Sequence, residues 1–84
     1  EATLRRNKPY AVRMTPDRRR EQLLDAVLGI IATDGVGAVS VDRVARSVEV
    51  SRPVVYGVFT DTDDMLRASL DREEQRALAQ LSRR

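Results

Sequence analysis

The chain has 84 residues, which is enough for one small domain. It contains no cysteine and no histidine, which excludes disulfide bonds and thiolate metal sites and removes the commonest general base. No apolar run approaches the roughly 20 residues that span a bilayer, and the polar, basic N-terminus is not typical of a signal peptide. We therefore expect a soluble intracellular protein with no membrane span, no cofactor and no bound metal.

Charge is distributed unevenly along the chain. Residues 1–20 hold seven basic and two acidic residues, a net charge of +5, whereas residues 21–84 have a net charge of −3. Residues 1–14 show no periodicity and include Pro9, so we expect them to form a disordered basic arm. Such an arm, which includes Arg13, can neutralise phosphates or enter a minor groove of DNA. The alternative is a solubilising tail with no binding role.

The first predicted helix covers residues 16–34 and opens a domain over residues 15–84. Residues 15–17, Thr-Pro-Asp, provide a cap, a proline for the first turn and an acid near the positive end of the helix dipole. A wide apolar stripe predicts that one face packs on a core; it consists of Leu23, Leu24, Val27, Leu28, Ile30 and Ile31. Gly35 is suited to end the helix, and Val36 and Val39 in the connector are expected to pack under the domain.

Residues 40–59 predict two short helices joined by a tight turn. Ser40 can cap a helix over residues 41–48, in which apolar side chains recur at intervals of three and four. Ser51 can cap the next helix, over residues 52–58, and a proline fits its first turn. This helix-turn-helix is a device for placing its second helix in the major groove of DNA. Two amphipathic helices around a turn also occur in small helical proteins with other functions.

A fourth helix is predicted over residues 62–80. Asp61 can cap it, and Asp63 and Asp64 lie in its first turn, where negative charge is favoured. Its apolar residues become sparse after Leu70, so we expect the last turns to be exposed, frayed or in need of a partner. The four helices together predict an all-α, homeodomain-like fold with a three-helix core and the start of a fourth, linking helix.

This order of features resembles the N-terminal DNA-binding domain of the TetR family of transcriptional regulators. The resemblance covers about residues 16–72 and is most specific over residues 50–59, VSRPVVYGVF, which are similar to the family's valine-serine-arginine followed by tyrosine and phenylalanine. It implies a cytoplasmic bacterial repressor that binds double-stranded DNA at the nucleoid. Family members usually continue into a larger helical domain that binds a small-molecule inducer and forms a homodimer. The chain ends at Arg84, where that domain would begin, so it resembles an excised fragment or an unusually short member.

The resemblance and the helix-turn-helix pattern together predict a DNA-contacting surface. Its members are Arg13, Arg18, Ser40, Val41, Arg43, Ser51, Arg52, Pro53, Val54, Tyr56 and Gly57. Ser40 and Ser51 can present helix N-terminal N–H groups to phosphates, although capping alone explains both serines. Arg43 and Arg46 are candidates for contact with the DNA backbone only.

The third predicted helix carries the candidates for base contact. The planar fork of Arg52 matches the acceptor edge of guanine or a phosphate, the alternative being a solvated arginine. Pro53 and Val54 offer apolar contact to a thymine methyl group, unless Val54 belongs to the core. Tyr56 can donate its hydroxyl to a phosphate or can serve a structural role alone. Gly57 has no side chain, so it either permits close approach to DNA or has no role.

The sequence departs from the family's pattern at four positions of the helix-turn-helix region. Glu49 stands where the turn usually has glycine, Val54 where threonine is frequent, Val58 where histidine or tyrosine is frequent, and Thr62 where lysine often opens the fourth helix. The groove-facing side is therefore poorer in hydrogen-bond donors than the family norm. The basic arm is expected to offset this difference.

Two other classes of function were compared with DNA binding. A helical protein-interaction module can use the same fold, and the acidic fourth helix favours it. An enzyme is not expected, because the sequence has no nucleophile with a matched base, no glycine-rich phosphate loop and no metal-ligand cluster.

Overall fold

The computed structural model describes residues 14–82. The predicted basic arm, including Arg13, lies outside these residues except for Met14. The described chain forms α1 (Pro16–Asp34), a one-turn 3-10 helix (Val36–Ala38), α2 (Val41–Val48), α3 (Arg52–Tyr56) and α4 (Thr62–Ser82). The predicted all-α fold with four helices is confirmed. Compared with the ranges expected from the sequence, α3 ends two residues earlier and α4 two residues later.

The ends of α1 follow from local chemistry. The hydroxyl of Thr15 accepts a hydrogen bond from the backbone N–H of Arg18 at 3.2 Å, and Pro16 lies in the first turn. The helix stops at Gly35, whose N–H donates to the Ile31 carbonyl and whose backbone angles are φ 92° and ψ 165°. This conformation is essentially restricted to glycine, so Gly35 is required for the change of direction towards α2.

The hydrophobic core lies where α1 packs against α2 and α4 and where α2 packs against α3. Its buried members are Leu23, Leu24, Val27, Ile30, Val39, Val41, Val44, Ala45, Val55, Phe59, Met65 and Ala68. The aromatic ring of Phe59 is covered from outside by the guanidinium of Arg20, which lies 5.0 Å from the ring centroid. The expectation that Val36 packs under the domain is wrong. This residue opens the one-turn helix at the surface and is 56% exposed, so Val39 alone of the connector valines reaches the core.

Arg72 joins α4 to α1 through three carboxylates, a group that we call the Arg72 cluster (Arg72, Glu21, Asp25 and Glu73). Its Nη1 donates to Glu21 at 2.7 Å, whereas Nη2 lies 3.0 Å from Asp25 and Nε 3.5 Å from Glu73 in contacts without hydrogen-bond geometry. Burial by itself would lower the pKa of Arg72, but the contacts with Glu21 and Asp25 outweigh burial and raise the pKa. Arg72 therefore stays charged, and its contacts cross the boundary between two helices.

The two halves of α4 differ in exposure. Met65, Ala68 and Ser69 in the first half are buried, whereas Leu70 is 71%, Leu78 56% and Leu81 65% exposed. The first turn is closed by reciprocal bonds, because Asp64 donates its N–H to the Asp61 carboxylate and accepts from the N–H of Thr60. Within residues 14–82, no helix has both the length and the hydrophobicity needed to cross a membrane.

Candidate nucleic-acid interface

The turn between α2 and α3 fixes the position of the second helix. Ser40 caps α2 by accepting from the N–H of Arg43 at 3.0 Å. At the other end, the N–H of Val50 donates to the Ala45 carbonyl and that of Glu49 to the Arg46 carbonyl, the double bond pattern of a Schellman motif. Glu49 occupies the left-handed position, with φ 61° and ψ 47°. It stands where glycine is usual, and among the described residues it is the one non-glycine residue with positive φ.

The first turn of α3 is closed without a side-chain cap. Ser51 makes no capping hydrogen bond through its hydroxyl, so the prediction of Ser51 as a side-chain cap is wrong. The reason is local: Pro53 has no N–H to offer, and the N–H of Val54 is already bonded to the Ser51 carbonyl at 3.1 Å. The Ser51 residue is exposed at the start of the helix.

One side of α3 is anchored and the other is open. Val55 is fully buried, and Phe59 just beyond the helix is 1% exposed. Four predicted DNA-contacting residues are exposed and Val54 is half-buried; the four are Arg52, Pro53, Tyr56 and Gly57. The core therefore holds α3 by its inner face and leaves the predicted reading face accessible.

Arg52, at the first position of α3, has a partner on α2. Its Nη1 donates to Oδ1 of Asp42 at 3.0 Å, and both side chains are more than half exposed, at 61% and 56%. The hydrogen bond and the charge of Asp42 raise the pKa of Arg52, with a smaller contribution from Tyr56. Sequence reasoning did not find this contact, because the two residues lie ten positions apart on different helices.

The other predicted basic contacts belong to a separate surface, an open groove between α1 and α2. Arg18 and Arg43 line this groove together with Arg46, the other candidate for contact with the DNA backbone. Arg43 also forms an ion pair with Asp34 at the end of α1. No predicted residue of α3 lines the groove, so the structure divides the predicted site into an α3 face and an α1–α2 face.

Val41 is displaced from the predicted surface. Its side chain is only 7% exposed and belongs to the core, so a contact between DNA and the Val41 side chain is ruled out for this conformation. The neighbouring Ser40 is half-buried by its capping bond. What both residues can offer to a phosphate is a backbone N–H at the start of α2.

Gly57 has an ordinary helical backbone, with φ −71°. A Cβ built at this position would meet only backbone oxygens, 3.4 Å from that of Val54 and 3.5 Å from that of Pro53. Nothing within the described domain therefore requires a glycine here, in contrast to Gly35.

A buried helix-turn-helix core with an exposed second helix defines a DNA-binding domain of the helix-turn-helix class. The described residues contain no group of three or more histidine, cysteine, aspartate or glutamate side chains able to hold a metal ion. A family model described as bacterial regulatory proteins of the tetR family matches residues 23–69, more than half of the chain. The chain belongs to the TetR family, which assigns it to DNA-binding transcription regulation.

Comparison with individual proteins finds a relative that is also of the helix-turn-helix type. The chain is 33% identical over 58 residues to the HTH-type nicotine-responsive transcriptional repressor HdnoR of Paenarthrobacter nicotinovorans. The matched stretch covers 69% of this chain and 30% of the repressor's length. No solved structure gives a significant match.

Proposed function

We propose that the chain binds specific operator sequences through α3, as the DNA-binding part of a transcriptional repressor rather than an enzyme. The observation that carries this proposal is the division of α3 into a buried inner face at Val55 and an exposed outer face at Arg52, Pro53 and Tyr56. A helix held in this way can enter a major groove without losing its packing.

Each exposed side chain of α3 has a role that its chemistry suits. Arg52 lies at the N-terminal end, which is nearest the bases when a recognition helix docks, and its fork matches the acceptor edge of guanine. Pro53 and the exposed part of Val54 contact a thymine methyl group. Tyr56, at 53% exposure, donates its hydroxyl to a phosphate.

The groove between α1 and α2 supplies contacts that do not depend on sequence. Arg18, Arg43 and Arg46 place positive charge along it, next to the carboxylates of Glu21 and Asp25 that contact Arg72. Arg13, which lies outside the described residues, is a further candidate for phosphate contact. Phosphate contacts of this kind fix orientation and affinity, whereas base contacts fix specificity.

We further propose that two copies bind a palindromic operator, with the two α3 helices in major grooves on the order of 34 Å apart. The relative from Paenarthrobacter is named as a nicotine-responsive repressor. By analogy, a small-molecule inducer and the homodimer contact belong to a further domain outside these 84 residues. One copy alone binds weakly, because it lacks the avidity of a second half-site.

A protein-interaction module is the second candidate function. The exposed leucines of α4, at positions 70, 78 and 81, favour it, since isolated apolar side chains at helical spacing suit a partner helix. Such a module would bind duplex DNA no better than other acidic polymers.

A salt series of binding to a mixed-sequence duplex separates the two functions. DNA binding through phosphates releases counterions, so the association constant must fall steeply as salt rises. On a duplex selected for tight binding, we expect Arg52→Ala and Tyr56→Ala to weaken binding, the former by about tenfold or more, while circular dichroism shows unchanged helicity. Arg76→Ala is the matched control, because Arg76 is an exposed arginine of α4 at 58%. Equal binding by all three variants would refute the assignment of α3.

A further inference from the structure

Asp42 stands beside the proposed reading side chain on the exposed surface. It lies in the first turn of α2, where its charge is favoured by the helix dipole. Its carboxylate is 3.0 Å from Nη1 of Arg52 on α3. Both side chains are exposed, at 56% and 61%, so DNA that reaches Arg52 also meets Asp42.

The contact uses little of the binding capacity of Arg52. A guanidinium has five N–H donors, and the bond to Asp42 uses one nitrogen of the fork. A single bond restricts the rotation of a long, flexible side chain before DNA arrives, which lowers the entropy cost of docking. Arg52 is therefore oriented and still able to donate.

Asp42 affects the two kinds of DNA acceptor differently. A phosphate bound to Arg52 would bring a full negative charge close to the Asp42 carboxylate, and these like charges repel more strongly once docked DNA displaces the water that screens them. The O6 and N7 atoms of guanine carry only partial charges, so the same carboxylate opposes them far less. Specificity of this type comes from penalising the wrong contact as well as from rewarding the right one.

We infer that Asp42 is a specificity-determining residue of the interface, which holds Arg52 for a base edge and opposes its capture by a phosphate. The inference rests on the proposed function, because it assumes that α3 meets DNA. It assigns a DNA-related role to an acidic residue that itself accepts no bond from phosphate.

The test compares Asp42→Asn with the wild-type 84-residue chain on a pool of duplexes whose central bases are randomised. Asparagine keeps the size of the side chain but loses the favourable interaction of its charge with the helix dipole, so circular dichroism is used to check that helicity is retained. We expect the variant to bind the unselected pool several-fold more tightly, with a salt slope steeper by about one. Sequencing of the bound fraction should show a weakened preference at one base pair.

Two controls separate the action of Asp42 on Arg52 from a general change of charge. Asp71→Asn removes an equal charge from an exposed position of α4 and should leave base preference unchanged. In the Arg52→Ala background, Asp42→Asn should have no more effect than Asp71→Asn, because the side chain on which it acts is gone.

The outcomes distinguish the inference from the proposed function. Salt-dependent DNA binding with equal effects of Asp42→Asn and Asp71→Asn overturns the inference and leaves the proposed function standing. The inference is also overturned, and the proposed function stands, if Asp42→Asn has its full effect in the Arg52→Ala background. A wild-type chain that shows no salt-dependent binding to the pool overturns both.

Discussion

Arg72 and Arg52 both contact carboxylates, but they do so in opposite surroundings. The side chain of Arg72 is 10% exposed and faces three acids from two helices. The side chain of Arg52 is 61% exposed and faces one acid. The first contact lies between α1 and α4, which the core also joins, and the second lies on the outer surface of α2 and α3.

This difference shows that the residues that hold the helices together and the residues proposed to contact DNA lie on separate surfaces of the domain. An arginine with its stem and head enclosed contributes to stability by packing and by neutralising nearby carboxylates. An exposed pair contributes little, because water screens the attraction and both side chains lose freedom. We therefore expect substitutions around Arg72 to change stability and substitutions around α3 to change DNA binding.

The largest effect on stability should come from Arg72→Met. Methionine keeps part of the buried stem but leaves Glu21, Asp25 and Glu73 without their shared cation, so the free energy of unfolding should fall by about 2 kcal/mol. The carboxylates retain water, which keeps the loss below that of a fully buried pair. Urea denaturation followed by circular dichroism measures it. Arg67→Met, at an exposed position of the same helix outside the cluster, should stay within about 0.5 kcal/mol; equal losses would show that the cluster adds no stability.

A smaller effect on stability, and one that stabilises the domain, is expected from a substitution in the turn between α2 and α3. Glu49 is left-handed at φ 61°, a conformation that costs a residue with a Cβ roughly 1–2 kcal/mol. Glycine removes that cost, but folding then restricts a residue that is more flexible in the unfolded chain. Glu49→Gly should therefore raise the free energy of unfolding by about 0.5–1 kcal/mol. Glu49→Ala separates the effect of backbone strain from the effect of charge on stability, since alanine removes the carboxylate and keeps the Cβ. Stabilisation by both variants would assign the effect to charge.

The smallest effect on stability is expected at Gly57. Its helical backbone accepts a methyl group, so Gly57→Ala should change the free energy of unfolding by no more than about 0.5 kcal/mol. If α3 lies close in the groove, the same methyl group should weaken DNA binding several-fold. Gly29→Ala, at an open position within α1, is the control for the effect of added helix propensity on stability alone, because Gly29 lines the groove between α1 and α2. Undiminished DNA affinity for the Gly57 variant would place this residue away from the DNA.

The fold was predictable because local signals agree with one another. The spacing of Val41, Val44 and Ala45 predicts that they share one face of α2. All three are buried. The caps at Thr15, Ser40 and Asp61 form the hydrogen bonds that their side chains allow. Ser51 failed as a cap because the residues that follow it leave no suitable donor, a detail that depends on the whole turn.

The candidate site was less predictable, because its electrostatics depend on contacts between helices. The partners Arg52 and Asp42 lie ten positions apart, and Arg72 and Glu21 lie 51 apart. No local pattern encodes such pairs, which arise only when packing brings two faces together. The helical spacing of Val41 predicts that its side chain is buried. The family resemblance nevertheless led to its inclusion in the predicted DNA-contacting surface.

The exposed second half of α4 also has a mechanical consequence. Ser82 lies ten residues beyond Arg72, which at 1.5 Å per residue gives an arm of about 15 Å. Between these two residues α4 has no buried side chain. A force applied across the helix axis at Ser82 therefore meets its first packed contact at the Arg72 cluster. The cluster thus lies midway along α4, whose other half runs back over ten residues to Thr62, close in sequence to Phe59 and the end of α3.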